Sequence, residues 1–506
     1  REAEEFIEDQ FRSKEKGTRI KPTDRAENRR IQLDELLVDN KTRIIITGGP
    51  GCGKTTVLQH IAWSLAQGWL ENSNFAEKKI GIQPPYPLPI YVPLNLYARH
   101  LRDFANAPAK KRTLAGFISE YLVLNMVGPE INSDFFAFLL QEKDSVLLLL
   151  DGLDEVPTED ERIQVRNDIE KLISGKDNLR MVVTSRTAAY IGPARLGHNF
   201  QHIRVLPLQM EQIESMVRKA YNYRFVNSPT RAKKSADDLI EGIQRLEQER
   251  QKRLGGNAEP LVDSPLMVRM MLVVAANNRV LPNQRADLYD KTVNAMLRPE
   301  NILDEKVAED ISKRVGGGIS IHREMLQTLA FHLHQRGEKQ GKDVDEQILR
   351  EILEPAYAVH IDDLLKLARA RGGVLDFRGG TFRFLHLSFQ EFLVGRYLAE
   401  QMREIDKIAG FIEDDKVLDS WWREPILLLC GYLDINAPKP AKELLSRLGG
   451  LDENAKERNR SMAQNIQIAS AELASSALLE FQQAIPDLAE QLAKRLVELI
   501  ENEKPS

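Results

Sequence analysis

One short stretch of the chain decides its fold: residues 43–56 read Arg-Ile-Ile-Ile-Thr-Gly-Gly-Pro-Gly-Cys-Gly-Lys-Thr-Thr. The β-branched run Ile44–Ile46 suits a strand that is buried on both faces of a parallel sheet. Apolar residues then recur at helical spacing from Val57 to Leu65, and Gly68 is predicted to end that helix. The stretch therefore predicts a strand, a glycine-rich loop and a helix in succession.

The glycine-rich part of this stretch fits the P-loop pattern G-x-x-x-x-G-K-[ST]. The backbone amides of such a loop and the N-terminus of its helix surround a β-phosphate. Lys54 adds a mobile positive charge, and the hydroxyl of Thr55 supplies a ligand for Mg²⁺. The sequence thus predicts an ATP or ADP site formed by Gly48, Gly49, Pro50, Gly51, Cys52, Gly53, Lys54, Thr55 and Thr56.

A second buried strand is predicted at Val146–Leu150, and it is followed by Asp151-Gly-Leu-Asp-Glu155. Ligands of open α/β sheets bind beyond the carboxyl ends of the strands, so Asp151 is expected to bind Mg²⁺, directly or through water. Asp154 and Glu155 add carboxylates where an attacking water would stand, and either one can act as a general base. An acidic turn after a strand is common, and the upstream P-loop favours the functional interpretation.

Three further strands are predicted, at Ile90–Leu96, Leu179–Arg186 and His202–Leu206, with Pro93 indicating an edge position for the first. If the strand that ends in Arg186 lies between the P-loop strand and the Asp151 strand, Arg186 can contact a γ-phosphate through a charge-assisted hydrogen bond. An ordinary surface residue at the end of a strand is the alternative.

Composition limits the other possibilities. The 506 residues are 42% hydrophobic and 29% charged with a net charge of -5, which is typical of several folded domains without bulk attraction to nucleic acid or membrane. Cys52 and Cys430 provide neither a disulfide framework nor zinc spacing, which fits a reducing, cytoplasmic location. The longest apolar runs are shorter than a membrane span. The chain does not begin with Met, so we expect it to be part of a longer product.

Four motifs together resemble the NACHT domain of the STAND class of signal-transducing P-loop ATPases: Gly48–Thr55, Asp151–Glu155, Thr184–Arg186 and Ser264–Leu266. The acidic motif matches the family pattern at every position. The resemblance implies an α/β fold with a P-loop parallel sheet of the ASCE/AAA+ type, followed by a helical domain, a winged-helix domain and a second helical domain.

The sequence can be divided in that order. The expected units are a charged N-terminal helix or linker at 1–34, the P-loop domain at 35–208, a helical domain at 209–300, a winged helix at 301–400 and a C-terminal helical domain at 401–506. Helical segments at 324–335, 346–353 and 362–370 precede a hairpin pattern at 373–384, which is typical of a winged helix. The last unit is a candidate start of a helical repeat sensor.

Two residues acquire roles only through the resemblance. Pro265 follows Asp263 and Ser264 and by itself predicts a helix start, while His386 by itself fits a satisfied core histidine. The resemblance implies that Pro265 packs against adenine. It also implies that His386 donates to the β-phosphate of ADP and holds the winged helix against the nucleotide.

The resemblance implies a switch in which ADP keeps a resting state and ATP, with a stimulus, favours opening and self-oligomerisation. Effector and sensor domains or a ligand outside this segment would be the other partners, in immune or antiviral defence or in cell-death signalling. Hydrolysis would be slow and Mg²⁺-dependent.

Two other classes stay open. A DNA-handling AAA+ ATPase, such as an initiator or helicase loader, would show turnover stimulated by nucleic acid, but Asp362 and Asp363 in the third winged-helix segment argue against nucleic-acid binding. The second class is a nucleotide-dependent scaffold without useful hydrolysis. A single-turnover assay that compares wild type with Glu155→Gln distinguishes it from a switch that hydrolyses ATP. No membrane partner is expected.

Overall fold

The computed structural model describes residues 33–501 apart from 38–42, 50, 72, 125–130, 142–145, 157–158, 175, 177–178, 188–189, 191–194, 198, 255–259, 278–279, 299–317, 338–339, 370–372, 379–380, 454, 456–457 and 459–461. The predicted N-terminal helix or linker therefore lies almost entirely outside the described residues. The same holds for Pro50 of the P-loop and for Gly379 and Gly380 of the predicted hairpin turn.

Five parallel strands form the first sheet, in the spatial order β2-β3-β4-β1-β5. They are β1 (Arg43–Gly48), β2 (Leu88–Pro93), β3 (Val146–Asp151), β4 (Arg180–Arg186) and β5 (Gln201–Arg204). The edge position predicted for β2 is confirmed. The strand that ends in Arg186 lies between the P-loop strand and the Asp151 strand, so the condition for a role of Arg186 is met.

Helices cover both faces of this sheet. They are α1 (Leu33–Leu37), α2 (Lys54–Leu70), α3 (Phe75–Ile80), α4 (Leu94–Asp103), α5 (Leu114–Leu124), α6 (Ser133–Leu139) and α7 (Glu159–Ile173). Ile45 and Leu148 point into the core with α4–α7, while Ile44 and Leu147 point into the core with α1–α3. Continuous aliphatic strands thus have both faces buried, as the sequence predicted.

Two boundaries predicted from the sequence are wrong. Gly68 does not end its helix, because α2 continues to Leu70. A β-carbon on Gly68 would lie 2.7 Å from the ring of Tyr86, so the glycine serves close packing instead. The strand predicted to reach Leu96 ends at Pro93, and α4 begins at the next residue.

Helices dominate the rest of the chain, as predicted. The helices described after the sheet are α8 (Met210–Arg224), α9 (Pro229–Leu254), α10 (Pro265–Asn277) and α11 (Arg285–Met296). The winged helix then contains α12 (Gly318–Gln335), β6 (Asp343–Val344), α13 (Glu346–Tyr357), α14 (Ile361–Arg369), β7 (Leu375–Arg378) and β8 (Thr381–Phe384). Its antiparallel sheet has the order β6-β8-β7. The sequence did not predict β6, which is too short to show a strand pattern.

The winged helix ends with α15 (Leu387–Tyr397), and the C-terminal part then contains α16 (Ile405–Phe411), α17 (Ser420–Asn436), α18 (Pro438–Leu448), α19 (Gln464–Ala477) and α20 (Pro486–Glu501). One continuous apolar core joins α8 to α20 and includes Trp421 and Trp422. Gly395 lets α15 approach α17 closely, since a β-carbon there would lie 2.7 Å from the carbonyl oxygen of Pro425. None of the described helices is long and apolar enough to cross a membrane.

Candidate nucleotide-binding site

The P-loop connects β1 to α2 at the carboxyl edge of the sheet. Gly51 and Gly53 have φ angles of 70° and 94°, a conformation that side chains rarely adopt. The Nζ of Lys54 donates to the carbonyl oxygens of Gly48 and Gly49 at 2.9 and 3.0 Å. Thr55 begins the exposed first turn of α2, together with Thr56 and close to Cys52 in the loop. A loop of this shape, with helix amides and a lysine beside it, fits a phosphate group.

The first turn of α10 packs directly on this loop. The amide of Leu266 donates to the carbonyl oxygen of Gly51 at 3.4 Å. A β-carbon on Gly51 would lie 2.6 Å from the Cβ of Leu266, and one on Gly53 would lie 3.8 Å from the Cγ of Pro265. Pro265 therefore adjoins the phosphate-binding loop, although the sequence alone predicted only a helix start there.

Asp151 lies at the end of β3, and two hydroxyl groups fix its carboxylate. Tyr91 of β2 donates to Oδ2 at 2.7 Å, and Thr184 of β4 donates to Oδ1 at 2.6 Å. Burial and the negative charge of Asp151 raise the pKa of Tyr91, so the phenol stays a donor. The oriented carboxylate and the Thr55 hydroxyl are hard oxygen ligands suited to Mg²⁺.

Any such ion would need further ligands. Within the described ranges, no group of three or more His, Cys, Asp or Glu side chains could hold a metal ion. Phosphate oxygens and water would therefore have to complete the coordination, as is common for Mg²⁺ at nucleotide sites.

Asp154 and Arg186 form a tight pair. The backbone amide of Arg186 donates to Oδ1 of Asp154 at 2.9 Å, and the Nε of Arg186 lies 3.3 Å from Oδ2. Asp154 is buried, and both of its oxygens have partners. The guanidinium also contacts Glu391 of α15, with Nη1 3.1 Å from Oε1. Asp154 thus positions Arg186 and is less available as a general base than the sequence suggested.

Glu155, the last residue of the acidic motif, has an exposed side chain. Although the residue as a whole is exposed, neighbouring protein atoms partly bury its carboxyl group and so raise the pKa of Glu155; Lys342 of the winged helix opposes the rise, and the carboxylates of Asp154 and Asp151 add to it. A raised pKa favours proton uptake from water. Of the two candidate bases, Glu155 is therefore the better placed.

His386 precedes α15 and caps its first turn, because its Nδ1 accepts the backbone amide of Ser388 at 3.2 Å. Burial, helped by the positive charges of Arg186 and Lys54, lowers the pKa of His386 to about 4. The imidazole is therefore neutral at pH 7. Since Nδ1 accepts a backbone N–H, the proton lies on Nε2, which can donate to another group.

Charged residues surround the contact between Arg186 and Glu391. Arg285 of α11 bridges Glu424 of α17 at 2.7 Å and Glu480 at 2.6 Å. Burial raises the pKa of Glu391, and the guanidinium of Arg186 opposes that rise. The carboxyl edge of the sheet is thus connected electrostatically to the winged helix and to the C-terminal helices.

Tyr91 and Glu391 are candidate functional residues that sequence reasoning missed. Tyr91 stood in a predicted strand without any motif, so nothing linked it to Asp151. Glu391 follows His386 by five residues and interrupts an apolar helix between Phe389 and Val394. A charge in such a helix is a usable signal, because buried charges need partners.

In the described part of the winged helix, two of the basic side chains pair with carboxylates of the same domain. Arg369 of α14 lies 2.6 Å from Glu346, and Asp362 of the same helix lies 2.7 Å from Arg350. The guanidinium of Arg369 also stacks over Phe377. These pairs keep the cations at the surface of their own domain.

Comparison with protein families gives two matches. The NACHT domain family matches residues 42–223, and the winged helix-turn-helix domain C-terminal to NACHT matches residues 285–398. Together these matches cover more than half of the chain, including the P-loop sheet and the winged helix described above. The chain therefore belongs to the NACHT-domain family of P-loop NTPases.

Three solved structures are similar to parts of the chain. A Signal Transduction ATPase with Numerous Domains (STAND) protein with a tetratricopeptide repeat sensor, from Pyrococcus horikoshii, is 14% identical with a TM-score of 0.33, and the match covers 94% of this chain and 65% of that chain. Drosophila ORC bound to DNA is 12% identical with a TM-score of 0.26, covering 72% and 93%. Replication initiator DnaA bound to AMPPCP and single-stranded DNA is 16% identical with a TM-score of 0.22, covering 53% and 75%.

This chain spans less than two thirds of that STAND protein. TM-scores this low carry no argument about function. No curated protein sequence gave a significant match.

Proposed function

We propose that this chain is a nucleotide-operated signalling switch that binds ADP or ATP with Mg²⁺ at the P-loop. One observation carries the proposal: His386 lies close enough to Lys54 and Arg186 for their charges to lower its pKa, although it follows Lys54 by more than 300 residues. A winged-helix imidazole beside the phosphate-binding lysine gives the nucleotide a way to hold two parts of the chain together.

ADP would stabilise a closed arrangement, in which the winged helix lies against the P-loop domain. The neutral imidazole has its proton on Nε2, as required of a donor to a β-phosphate oxygen, while Pro265 beside Gly53 would pack against the base. ATP brings a γ-phosphate that competes for this space and attracts Arg186. Nucleotide exchange shifts the balance only by the difference in affinity for the two arrangements.

Opening would expose surfaces for self-oligomerisation, which would bring attached effector domains together. A sensor domain or ligand outside this segment would add the remaining bias towards opening. We place this switch in the cytoplasm and in immune, antiviral or cell-death signalling, as expected from the family resemblance.

Slow hydrolysis would reset the switch. Thr55 and Asp151 would hold Mg²⁺, which neutralises phosphate charge when bound. Glu155 would take a proton from the attacking water, since Arg186 already occupies both oxygens of Asp154. Arg186 would stabilise the γ-phosphate.

The nucleotide that co-purifies tests the proposal. Protein purified without added nucleotide is denatured, and the extract is separated by ion exchange. We expect ADP in roughly equal amount to protein. An empty site would contradict the switch and favour a fast-turnover ATPase.

His386→Ala tests the contact itself. We expect lower ADP retention and ATP-dependent assembly at lower protein concentration, measured by size-exclusion chromatography with light scattering. His332→Ala removes an exposed imidazole of α12 and serves as the matched control. An identical size distribution for the two variants would contradict the contact with ADP.

A further inference from the structure

We infer that Glu391 is a specificity residue that makes the closed arrangement prefer ADP to ATP, by holding Arg186 away from a γ-phosphate. The inference rests on the proposed switch and assigns discrimination between the two nucleotides to one carboxylate of the winged helix.

Two carboxylates contact the guanidinium of Arg186. Arg186 contacts Asp154 of its own region through Nε at 3.3 Å and Glu391 of α15 through Nη1 at 3.1 Å. A guanidinium has five N–H donors in a fixed planar fork, so its direction is set by its partners. With one carboxylate on each side, turning towards a phosphate requires giving up at least one of these contacts.

The contact with Asp154 is the harder one to release. Asp154 also accepts the backbone amide of Arg186 at 2.9 Å, so the aspartate and the backbone of β4 are fixed to each other. Among the described residues, no second bond of this kind joins Glu391 to this region. A γ-phosphate that attracts Arg186 therefore does so at the expense of Glu391.

Losing Arg186 would leave Glu391 in an unfavourable position. Its side chain is 2% exposed, and among the described residues its Oε2 has no hydrogen-bond partner. The positive charge of Arg285 also acts on Glu391, but Arg285 already bridges Glu424 and Glu480. A buried carboxylate without a partner is strongly unfavourable.

The closed arrangement can accept ADP without disturbing this pair, because ADP has no γ-phosphate to attract Arg186. ATP either binds without the arginine or forces Glu391, and the winged helix with it, away from the sheet. Glu391 therefore reduces the affinity of the closed arrangement for ATP selectively.

The test compares Glu391→Gln with wild type in full-length protein stripped of nucleotide. Dissociation constants for Mg-ADP and for the slowly hydrolysed analogue Mg-ATPγS are measured by calorimetry. We expect the affinity for ATPγS relative to ADP to rise about tenfold, within the usual range of coupling between sites. Glu413→Gln is the matched control, because Glu413 is a buried carboxylate that pairs with Arg447 at 3.3 Å in the C-terminal helices.

An unchanged ratio in folded Glu391→Gln overturns the inference. If Glu391→Gln does not fold, Glu391→Asp is measured instead, since it keeps the charge but withdraws it by one methylene, and an unchanged ratio there is equally decisive. Arg186→Gln should remove the effect of Glu391→Gln in the double variant.

Different results would contradict the proposed switch and this inference. Absence of any ADP binding by wild type would overturn the switch. Normal ADP binding, with an unaltered ratio of ATPγS to ADP affinity in Glu391→Gln and Glu391→Asp, would overturn only the role of Glu391.

Discussion

The candidate site has two halves that differ in origin and in environment. The P-loop half comes from adjacent residues, 48–56, and its Thr55 is exposed to solvent. The winged-helix half comes from His386 and Glu391, which are drawn from a distant part of the chain and lie among buried charges. The first half has the groups needed to bind phosphate. The second has groups that can respond to which phosphate is bound.

This difference indicates that binding and response can be changed separately. Backbone amides of the P-loop bind any nucleotide with a β-phosphate, so they distinguish little between ADP and ATP. Arg186 connects the two halves, since it contacts Asp154 on one side and Glu391 on the other. Substitutions in the first half should abolish binding or hydrolysis, and those in the second should alter preference.

The largest expected effect concerns hydrolysis. Glu155→Gln should slow single-turnover ATP hydrolysis by between about 10²- and 10⁴-fold, because the amide cannot accept a proton from water. ATP affinity should stay close to that of wild type. Glu77→Gln, an exposed glutamate of α3, is the control. An equal hydrolysis rate in both variants would identify this chain as a scaffold without useful hydrolysis, the alternative noted above.

Lys54→Ala tests the binding half. We expect both ADP and ATP to bind about 100-fold more weakly, because each charge-assisted bond from Nζ to phosphate contributes about 1.5 to 3 kcal/mol. Fluorescent nucleotide titration measures the loss, with Lys407→Ala of α16 as the exposed-lysine control. Normal ADP content in Lys54→Ala would remove the P-loop from the proposed mechanism.

The smallest expected effect is a pH dependence in the winged-helix half. The pKa of His386 is lowered to about 4 from 6.5, so the unfolded chain binds a proton at higher pH than the folded chain. The neutral imidazole therefore makes its full contribution to the free energy of unfolding above pH 6.5. That contribution is lost as the pH falls towards 4, by about 2 kcal/mol after allowance for partial exposure. His386→Asn should flatten this part of the profile of Tm against pH.

The pKa of His386 can also be measured with ADP bound. Its phosphates would favour the imidazolium, so the pKa of His386 should rise on binding, as followed by NMR of ¹³C-labelled histidine. Burial lowers the pKa of His334 to about 3, and its Nε2 contacts the backbone carbonyl oxygen of Trp421 of α17. His334 should not respond to ADP. Equal responses of both histidines would argue against a phosphate contact at His386.

The first half of the candidate site could be predicted from the sequence because its signals are local. The P-loop and the acidic motif are each contiguous, and their flanking aliphatic runs identify the strands that carry them. The order of domains followed from helical spacing, from the hairpin pattern and from the resemblance. The prediction for Arg186 also required the order of the strands, because it depended on the position of β4 in the sheet.

The remaining features depend on contacts that no local pattern encodes. Arg186 and Glu391 are 205 residues apart, and only the packing of the winged helix against the sheet brings the charges together. Tyr91 reaches Asp151 because β2 pairs with β3 in one particular register. Glycine can end a helix or allow close packing, and only the tertiary contacts distinguish the two uses. The sequence alone therefore predicted a helix end at Gly68, where the structure shows close packing.

The glycine at the crossing of α15 and α17 has a mechanical consequence. With the backbones this close, a side chain at position 395 would clash with α17, and we expect the two helices to move as one unit. The segment that bears His386 and Glu391 must then travel together with the C-terminal helices as one rigid lever. A displacement of a few ångströms beside the phosphates would be carried to the far end of that lever with larger amplitude.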